Sequence, residues 1–201
     1  MYQICVSGAA KGKSVTEGRE LAFKVGKVIG ETGNVLLTGA TTGLPHEAAQ
    51  GASSVGGQSV GISPAASKLE HVKKYRLPTG CYNVILYTGL HYVGRDTLLV
   101  ASSDAVVSIG GRLGTLHEFT IAMEMDVPIG FVMGAGGVSI EIKDILRAAG
   151  KRSAQNVIFD TDPVKLVKRL IKILDTRYAE NIEIYEQATH CDIREAIFAE
   201  K

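Results

Sequence analysis

Short apolar segments alternate with longer amphipathic segments along most of this chain, and this alternation constrains the fold more than any other feature. The segment 35–38 is apolar at consecutive positions, which is typical of a strand buried on both faces of a parallel sheet. The segment 16–31 repeats Leu21, Val25 and Val28 on one helical face. Strands that alternate with helices predict βαβ units and therefore a parallel sheet.

This pattern predicts an α/β fold, a Rossmann-like parallel sheet of about seven strands flanked by helices on both faces. The predicted strands span 3–7, 35–38, 59–62, 84–87, 105–109, 128–132 and 156–159. The predicted helices span 16–31, 45–55, 94–102, 115–125, 138–149 and 163–175. Residues 63–80 are polar and irregular, which indicates an active-site loop. We expect a nucleotide-binding domain over 1–175 and a C-terminal helical tail over 176–201.

Composition excludes several classes of protein. Hydrophobic residues make up 45% and charged residues 21%, and the formal net charge is +1, so no overall field favours nucleic acid or an acidic membrane. The three cysteines form no CxxC pair, which argues against a zinc site or a disulfide framework. The chain opens without a basic leader and has no apolar run of about 20 residues. We therefore expect a cytoplasmic protein without a membrane partner.

The strongest motif is the glycine-rich turn Gly110-Gly111-Arg112-Leu113-Gly114-Thr115, which precedes the helix carrying Glu118. Glycine permits positive φ and close approach of the backbone to a ligand. The free N–H groups and the dipole at a helix N-terminus favour an anion. We therefore predict that Gly110, Gly111, Gly114 and Thr115 bind phosphate. The spacing of Thr115 and Glu118 fits a capping box equally well, so spacing alone leaves both alternatives open.

Two further turns follow the first and second strands. Gly8 and Ser14 lie in a stretch that resembles a P-loop but has one residue too few between its glycines, so we expect a nucleotide-site lining and no NTPase. Gly39, Thr42 and Gly43 form the next turn, which is typical either of a second phosphate-facing helix or of a simple connection. The carboxyl ends of parallel strands share one edge of a sheet, where ligands bind.

The identities of these residues, in addition to their spacing, resemble the motif of a known family. Residues 109–118 resemble the PGGxGTxxE motif of the LONELY GUY (LOG) family, whose members were once named lysine decarboxylases. Gly94-Arg95-Asp96 and Ser103-Asp104-Ala105 match the segment before that motif. The run 95–118 is even more similar to the molybdenum cofactor carrier proteins and their bacterial relatives. The general layout matches over roughly 3–175, although only the central segment is specific.

The resemblance implies roles for two charged residues. LOG enzymes cleave the N-glycosidic bond of cytokinin nucleoside 5′-monophosphates with an Arg and a Glu, which places the catalytic roles on Arg95 and Glu118. Glu118 would stabilise an oxocarbenium-like ribose or orient the attacking water. Arg95 would hold the phosphate or orient Glu118 through a bidentate pair. His117 lies about 100° around the helix from Glu118, so we do not expect it to pair with that carboxylate.

The chain departs from the LOG pattern at four places near the motif. Ile109 replaces a proline, Phe119 replaces a second glutamate, and Asp96 replaces a lysine. His91 stands four residues before Arg95, where the LOG pattern has a histidine two before. These changes weaken the hydrolase alternative and leave phosphate binding intact.

Three functions therefore remain open: a nucleoside 5′-monophosphate phosphoribohydrolase, a carrier of molybdenum cofactor (molybdopterin), and a nucleotide sensor without turnover. No cofactor is required in any of them, since the nucleotide or molybdenum cofactor is itself the ligand. No histidine spacing indicates a metal, and no lysine lies in a context that favours a pyridoxal phosphate Schiff base, so we expect no lysine decarboxylase.

The resemblance also implies a homodimer or homotetramer, and Ile121, Met123 and Met125 are compatible with an interface beside the motif. Ligand specificity is expected from the loop 63–80 and from residues near Tyr92.

Overall fold

A computed structural model describes residues 1–151, 156–182, 184 and 186. Its strands are β1 (Gln3–Gly8), β2 (Val35–Thr38), β3 (Ser59–Ser63), β4 (Val84–Tyr87), β5 (Ala105–Ile109), β6 (Ile129–Val132) and β7 (Val157–Asp160). Its α-helices are α1 (Lys13–Glu31), α2 (Leu44–Ser53), α3 (Lys68–Lys73), α4 (His91–Ala101), α5 (Leu113–Glu124), α6 (Ile142–Ala148) and α7 (Pro163–Glu180). A 3-10 helix spans Gly137–Ile140.

The seven strands form one parallel sheet in the order β4-β3-β2-β1-β5-β6-β7. Strands β1 to β4 therefore run in order from the centre of the sheet to one edge. The chain then returns to the centre, and β5 to β7 run in order to the other edge. Ser7 pairs with Ser108 and Gly8 with Ile109 where β1 and β5 end side by side. This reversal of strand order opens a crevice at the carboxyl ends of the two central strands, which is where such sheets bind ligands.

Helices cover both faces of the sheet, as the alternating pattern predicts. Ile4 and Val6 of β1 pack into a buried cluster with α1, α2 and α7. Cys5, between them in sequence, packs with α4, α5 and α6 on the opposite face. Successive strand residues point to opposite faces, so both faces must be apolar, and the consecutive apolar runs meet this requirement.

Close packing against α1 and a hydrogen bond at its first residue position α2. A Cβ at Gly26 of α1 would lie 1.8 Å from the carbonyl oxygen of Ala48 in α2, so only glycine allows this approach. At its start α2 is tied to the turn after β1, because the amide of Leu44 donates to the carbonyl of Ala9 at 2.9 Å. The two turns after β1 and β2 therefore lie together at the crevice.

The loop prediction for 63–80 is wrong in part, because α3 lies within it. Ser67 caps this helix by accepting a hydrogen bond from the amide of Glu70. His71 is fully buried, with its Nδ1 2.8 Å from Ser63 Oγ and its Nε2 3.0 Å from the carbonyl oxygen of Pro78. These contacts hold the segment against the end of β3, and no polarity pattern in the sequence indicates them.

The single helix predicted over 138–149 is divided into the 3-10 helix and α6. The amide of Val138 and the hydroxyl of Ser139 donate to the carbonyls of Gly111 and Gly110, which ties the 3-10 segment to the glycine-rich turn.

The bounds of α4 and α7 also differ from the predicted bounds. α4 begins three residues earlier than predicted, and α7 continues to Glu180 instead of ending at 175. The first residues of the predicted tail thus belong to α7, and residues 187–201 lie outside the described residues. The domain boundary at 175 stays a prediction. Across the described ranges, no helix combines the length and the hydrophobicity needed to cross a membrane.

Candidate functional site

A cavity of about 230 Å³ lies at the crevice between the ends of β1 and β5. It is lined by parts of the turns after β1, β2 and β5 and by one face of α4. Six of the residues predicted from sequence line it, namely Gly8, Gly39, Arg95, Gly114, Thr115 and Glu118. The structure thus brings the two charged candidates and all three glycine-rich turns to one place.

The other five predicted binding residues are not part of the cavity lining and instead lie in the turns or against them. Ser14 packs against Gly110, where a Cβ would lie 2.9 Å from that of Ser14. Gly43 precedes α2 with a φ of 77°.

Two of these supporting positions border residues that do line the cavity. Thr42 donates its hydroxyl to the carbonyl of Ala10 at 3.3 Å, and the neighbouring Thr41 lines the cavity instead. Gly111 lies under Thr115, because a Cβ there would be 2.0 Å from Thr115 Oγ1.

The start of α5 leaves backbone amides open toward the cavity. Gly110 and Gly111 have φ of 59° and 89°, a left-handed turn that glycine adopts without strain. Arg112 is the N-cap and makes no side-chain capping bond. The first-turn amides 113–115 have no acceptor within the helix, and no other described residue accepts a hydrogen bond from them. A phosphoryl group would find these donors free.

Glu118 does not form a capping box. Its carboxylate accepts a hydrogen bond from the hydroxyl of Ser7 at the end of β1, away from the helix start. Thr115 is itself inside α5, three residues after the N-cap, and is buried. Glu118 is therefore directed to the crevice and not to the backbone of its own first turn.

Three buried charges form a cluster at the inner end of the cavity. Arg95, Asp96 and Glu118 are only 4%, 6% and 8% exposed. Arg95 Nη1 lies 3.4 Å from Asp96 Oδ1 and 3.9 Å from Glu118 Oε1. The Nε of Arg95 is buried and has no hydrogen-bond partner among the described residues. A buried donor without a partner is costly, so an ordered water or a bound ligand atom would stabilise this arrangement.

The environment of Glu118 raises its pKa to about 7 from an ordinary 4.5. Burial is the largest cause, since it removes water from the charged form, and the nearby Asp96 adds like-charge repulsion. The hydrogen bond from Ser7 and the positive charge of Arg95 act in the opposite direction and offset part of this increase. Glu118 can thus be neutral or charged near neutral pH, depending on what binds beside it.

Sequence reasoning missed several residues of this site. Ser7 supports Glu118, and Asp96 links Arg95 to His117, whose Nδ1 lies 3.2 Å from Asp96 Oδ2. His117 thus joins the cluster through Asp96 and not by pairing with Glu118. Tyr92, near which specificity is expected from the sequence, lines the cavity, and its spacing of three from Arg95 places both on one face of the helix.

The loop 63–80, expected to set specificity, contributes no residue to the cavity lining. Its contact with the site is indirect, because the ring of Tyr75 packs edge-on against Tyr92. The position of the second LOG glutamate is occupied by Phe119, which is 2% exposed and packs against Phe131. No second carboxylate therefore replaces it at that position.

The cavity lining combines two kinds of polar group. The open amides of α5, the guanidinium of Arg95 and the exposed Arg112 favour an anion. Glu118 and Asp96, which lie against Arg95, accept hydrogen bonds or balance a cation. This lining suits a small molecule that has both a phosphoryl group and polar N–H or O–H groups.

Known proteins are similar to this chain in sequence or in fold. An uncharacterised protein of Archaeoglobus fulgidus is 35% identical over 124 residues, which are 62% of this chain and 75% of that protein. The X-ray structure of TM1055 has a TM-score of 0.73 and 26% identity, and the match covers 86% of this chain and 99% of that chain. The molybdenum cofactor carrier protein of Chlamydomonas reinhardtii has a TM-score of 0.67 and 25% identity, over 85% of this chain and 98% of that chain.

The family assignment rests on a match that spans the whole sheet and the site. Residues 1–167 fit the model of the SLOG cluster4 family, and they contain every residue described above as lining the cavity. The chain therefore belongs to the SLOG cluster4 family.

Proposed function

We propose that this protein binds a phosphorylated pterin or nucleotide in the crevice and acts as a carrier of the molybdenum cofactor. The observation that carries the proposal is that the buried Arg95 lines the same cavity as Gly114 and Thr115 at the open first turn of α5. A guanidinium and a row of backbone N–H groups are the donors that bind phosphate monoesters best. The similarity to the carrier of Chlamydomonas reinhardtii supports the pterin as ligand.

The small volume of the cavity favours a site that holds part of its ligand over one that encloses the whole ligand. Pockets that enclose a ligand are usually about 300–1,000 Å³, and this one is about 230 Å³. A nucleotide or molybdenum cofactor with its phosphate on the α5 amides would extend past Tyr92 and Arg112 at the cavity rim. A ligand held in this way is protected at its phosphate and accessible at its other end, as delivery to an acceptor protein requires.

One observation argues against the hydrolase alternative. Phe119 fills the core where LOG enzymes have a second glutamate. Two observations support the alternative: Glu118 and Arg95 line the same cavity, and the raised pKa of Glu118 suits a general acid or base.

The hydrolase alternative is tested by incubating the protein with AMP and following free adenine by chromatography. We expect no release of adenine above the rate without protein. Release that disappears in Glu118→Gln, while ligand binding is retained, would establish the hydrolase instead.

The carrier proposal is tested by retention of the cofactor. The protein is mixed with molybdenum cofactor released from a molybdoenzyme, separated by gel filtration, and its bound pterin is measured by fluorescence after oxidation. We expect the wild-type chain to retain cofactor and Arg95→Gln to lose most of it. Arg147→Gln is the matched control, because Arg147 is exposed and its ion pair among the described residues is with Asp144. Equal retention by all three, or by none, would contradict the proposal.

We also propose that the protein is a homodimer or homotetramer. Of the residues expected at an interface, Ile121 and Met123 are partly packed in the core, whereas Met125 is 47% exposed. Sedimentation equilibrium measures the mass, and a monomer would contradict this expectation.

A further inference from the structure

Tyr92 is the aromatic side chain at the cavity. It is the second residue of α4 and is 46% exposed, although it lines the same cavity as the buried Arg95. A tyrosine half open beside an anion site provides a flat apolar surface with a polar end.

A neighbouring aromatic side chain, itself hydrogen bonded, contacts the ring of Tyr92. The ring of Tyr75 meets it edge-on, with the centroids 5.6 Å apart. Tyr75 is fixed in turn, because its hydroxyl is hydrogen bonded to Nδ1 of His91 at 2.8 Å. His91 adopts a left-handed φ of 55° at the start of α4, which is uncommon for a residue with a side chain. The ring is thus oriented before any ligand binds.

Arg95 connects this ring to the phosphate end of the site. Its guanidinium carbon lies 6.0 Å from the centroid of the Tyr92 ring, within range of a cation–π interaction. The two residues are three apart on α4 and lie on one face of the helix. A ligand whose phosphate reaches Arg95 therefore has its next several atoms beside Tyr92.

We propose that Tyr92 is the specificity-determining residue of the crevice and stacks on a planar fused-ring heterocycle that carries a phosphomonoester. The site then selects pterin or purine monophosphates over sugar phosphates of the same charge. This inference rests on the proposed function and adds the side chain that recognises the ring. Stacking of a base on an aromatic side chain contributes about tenfold in affinity, whereas the phosphate contacts are common to both classes of ligand.

Two probes separate the ring from the phosphate, neopterin monophosphate and ribose 5-phosphate, each titrated by isothermal calorimetry. The wild-type chain should bind neopterin monophosphate at least about tenfold more tightly than ribose 5-phosphate. Tyr92→Ala should remove this preference and leave the affinity for ribose 5-phosphate within about twofold. Tyr92→Phe should keep the preference, because the ring remains. Val93→Ala is the matched control, since Val93 is on the same helix, is 70% exposed and is absent from the cavity lining.

The outcomes of these titrations distinguish this inference from the proposed function on which it rests. Equal affinity of the wild-type chain for the two probes, or an equal loss of both in Tyr92→Ala, would overturn stacking and leave the phosphate site standing. Failure of the wild-type chain to bind either probe would overturn the proposed function and the stacking inference together. Pterin fluorescence, which stacking quenches, provides a second readout, and an unchanged quench in Tyr92→Ala would also contradict the inference.

Discussion

The guanidinium of Arg95 occupies the space that a side chain at Gly39 would need. A Cβ at Gly39 would lie 2.0 Å from Arg95 Nη1 and 2.6 Å from its Cζ. Gly39 follows β2, whereas Arg95 belongs to α4. The absence of a side chain in the turn after β2 therefore determines where the guanidinium of Arg95 can lie. Gly39 lines the cavity and also makes room for Arg95, the residue proposed to bind the phosphate.

Gly39→Ala should therefore displace Arg95 from the cavity without changing its charge. We expect affinity for neopterin monophosphate to fall by about tenfold or more, because a charge-assisted hydrogen bond to the phosphate is lost or lengthened. Isothermal calorimetry measures the change. Gly80→Ala is the control, since a Cβ at Gly80 meets no atom within 4 Å. Unchanged affinity in Gly39→Ala would show that Arg95 is not the anion-binding group.

Glu118 should make the stability of the fold depend on pH. Its pKa is about 7 in the folded chain and 4.5 ordinarily, so between these values the folded state binds more protons than the unfolded state. The free energy of unfolding contributed by this group therefore falls as pH rises from about 4.5 to about 7. The whole effect is at most about 3 kcal/mol.

Urea unfolding of the wild-type chain and of Glu118→Gln, from about pH 5 to about pH 8, measures this contribution. The wild-type chain should lose stability relative to Glu118→Gln across that range, because glutamine cannot ionise. Parallel profiles for the two proteins would mean that the Glu118 carboxyl has the same pKa folded and unfolded.

Gly26→Ala should destabilise the whole domain. The added Cβ would overlap the carbonyl oxygen of Ala48, which is backbone and cannot rotate away, so α1 and α2 must separate. We expect a loss of about 2 kcal/mol in the free energy of unfolding, after allowing for the better helix propensity of alanine. Gly114→Ala, also in a helix but with no atom within 4 Å of its Cβ, should be neutral or stabilising by up to about 1 kcal/mol. Equal effects of the two substitutions would contradict this packing argument.

Much of this fold could be predicted from sequence, because burial on both faces of a parallel sheet leaves a local signature. Runs such as 35–38 and 105–109 are apolar at every position but one, and all seven predicted strands are present. The seven-stranded α/β fold with helices on both faces is confirmed. α3 was missed because it is short and is stabilised by a cap at Ser67 and the buried His71, contacts that depend on tertiary structure.

The site could be predicted only as far as its residues follow a motif. The glycine-rich turn and Glu118 are contiguous enough to be recognised, and Arg95 came from the resemblance. Ser7 belongs to β1 and Tyr75 follows α3, and only the folded chain brings them beside Glu118 and Tyr92. Such partners have no fixed spacing in sequence, so periodicity and motifs do not indicate them.

The central claim is that the first-turn amides of α5 bind a phosphoryl group, and backbone amide chemical shifts measure this directly. Neopterin monophosphate is titrated into ¹⁵N-labelled protein, with unphosphorylated neopterin as the comparison. We expect the largest shifts at Gly114 and Thr115, with much smaller shifts there for the unphosphorylated compound. Binding that leaves these two amides unmoved, or moves them equally with and without the phosphate, would contradict the account.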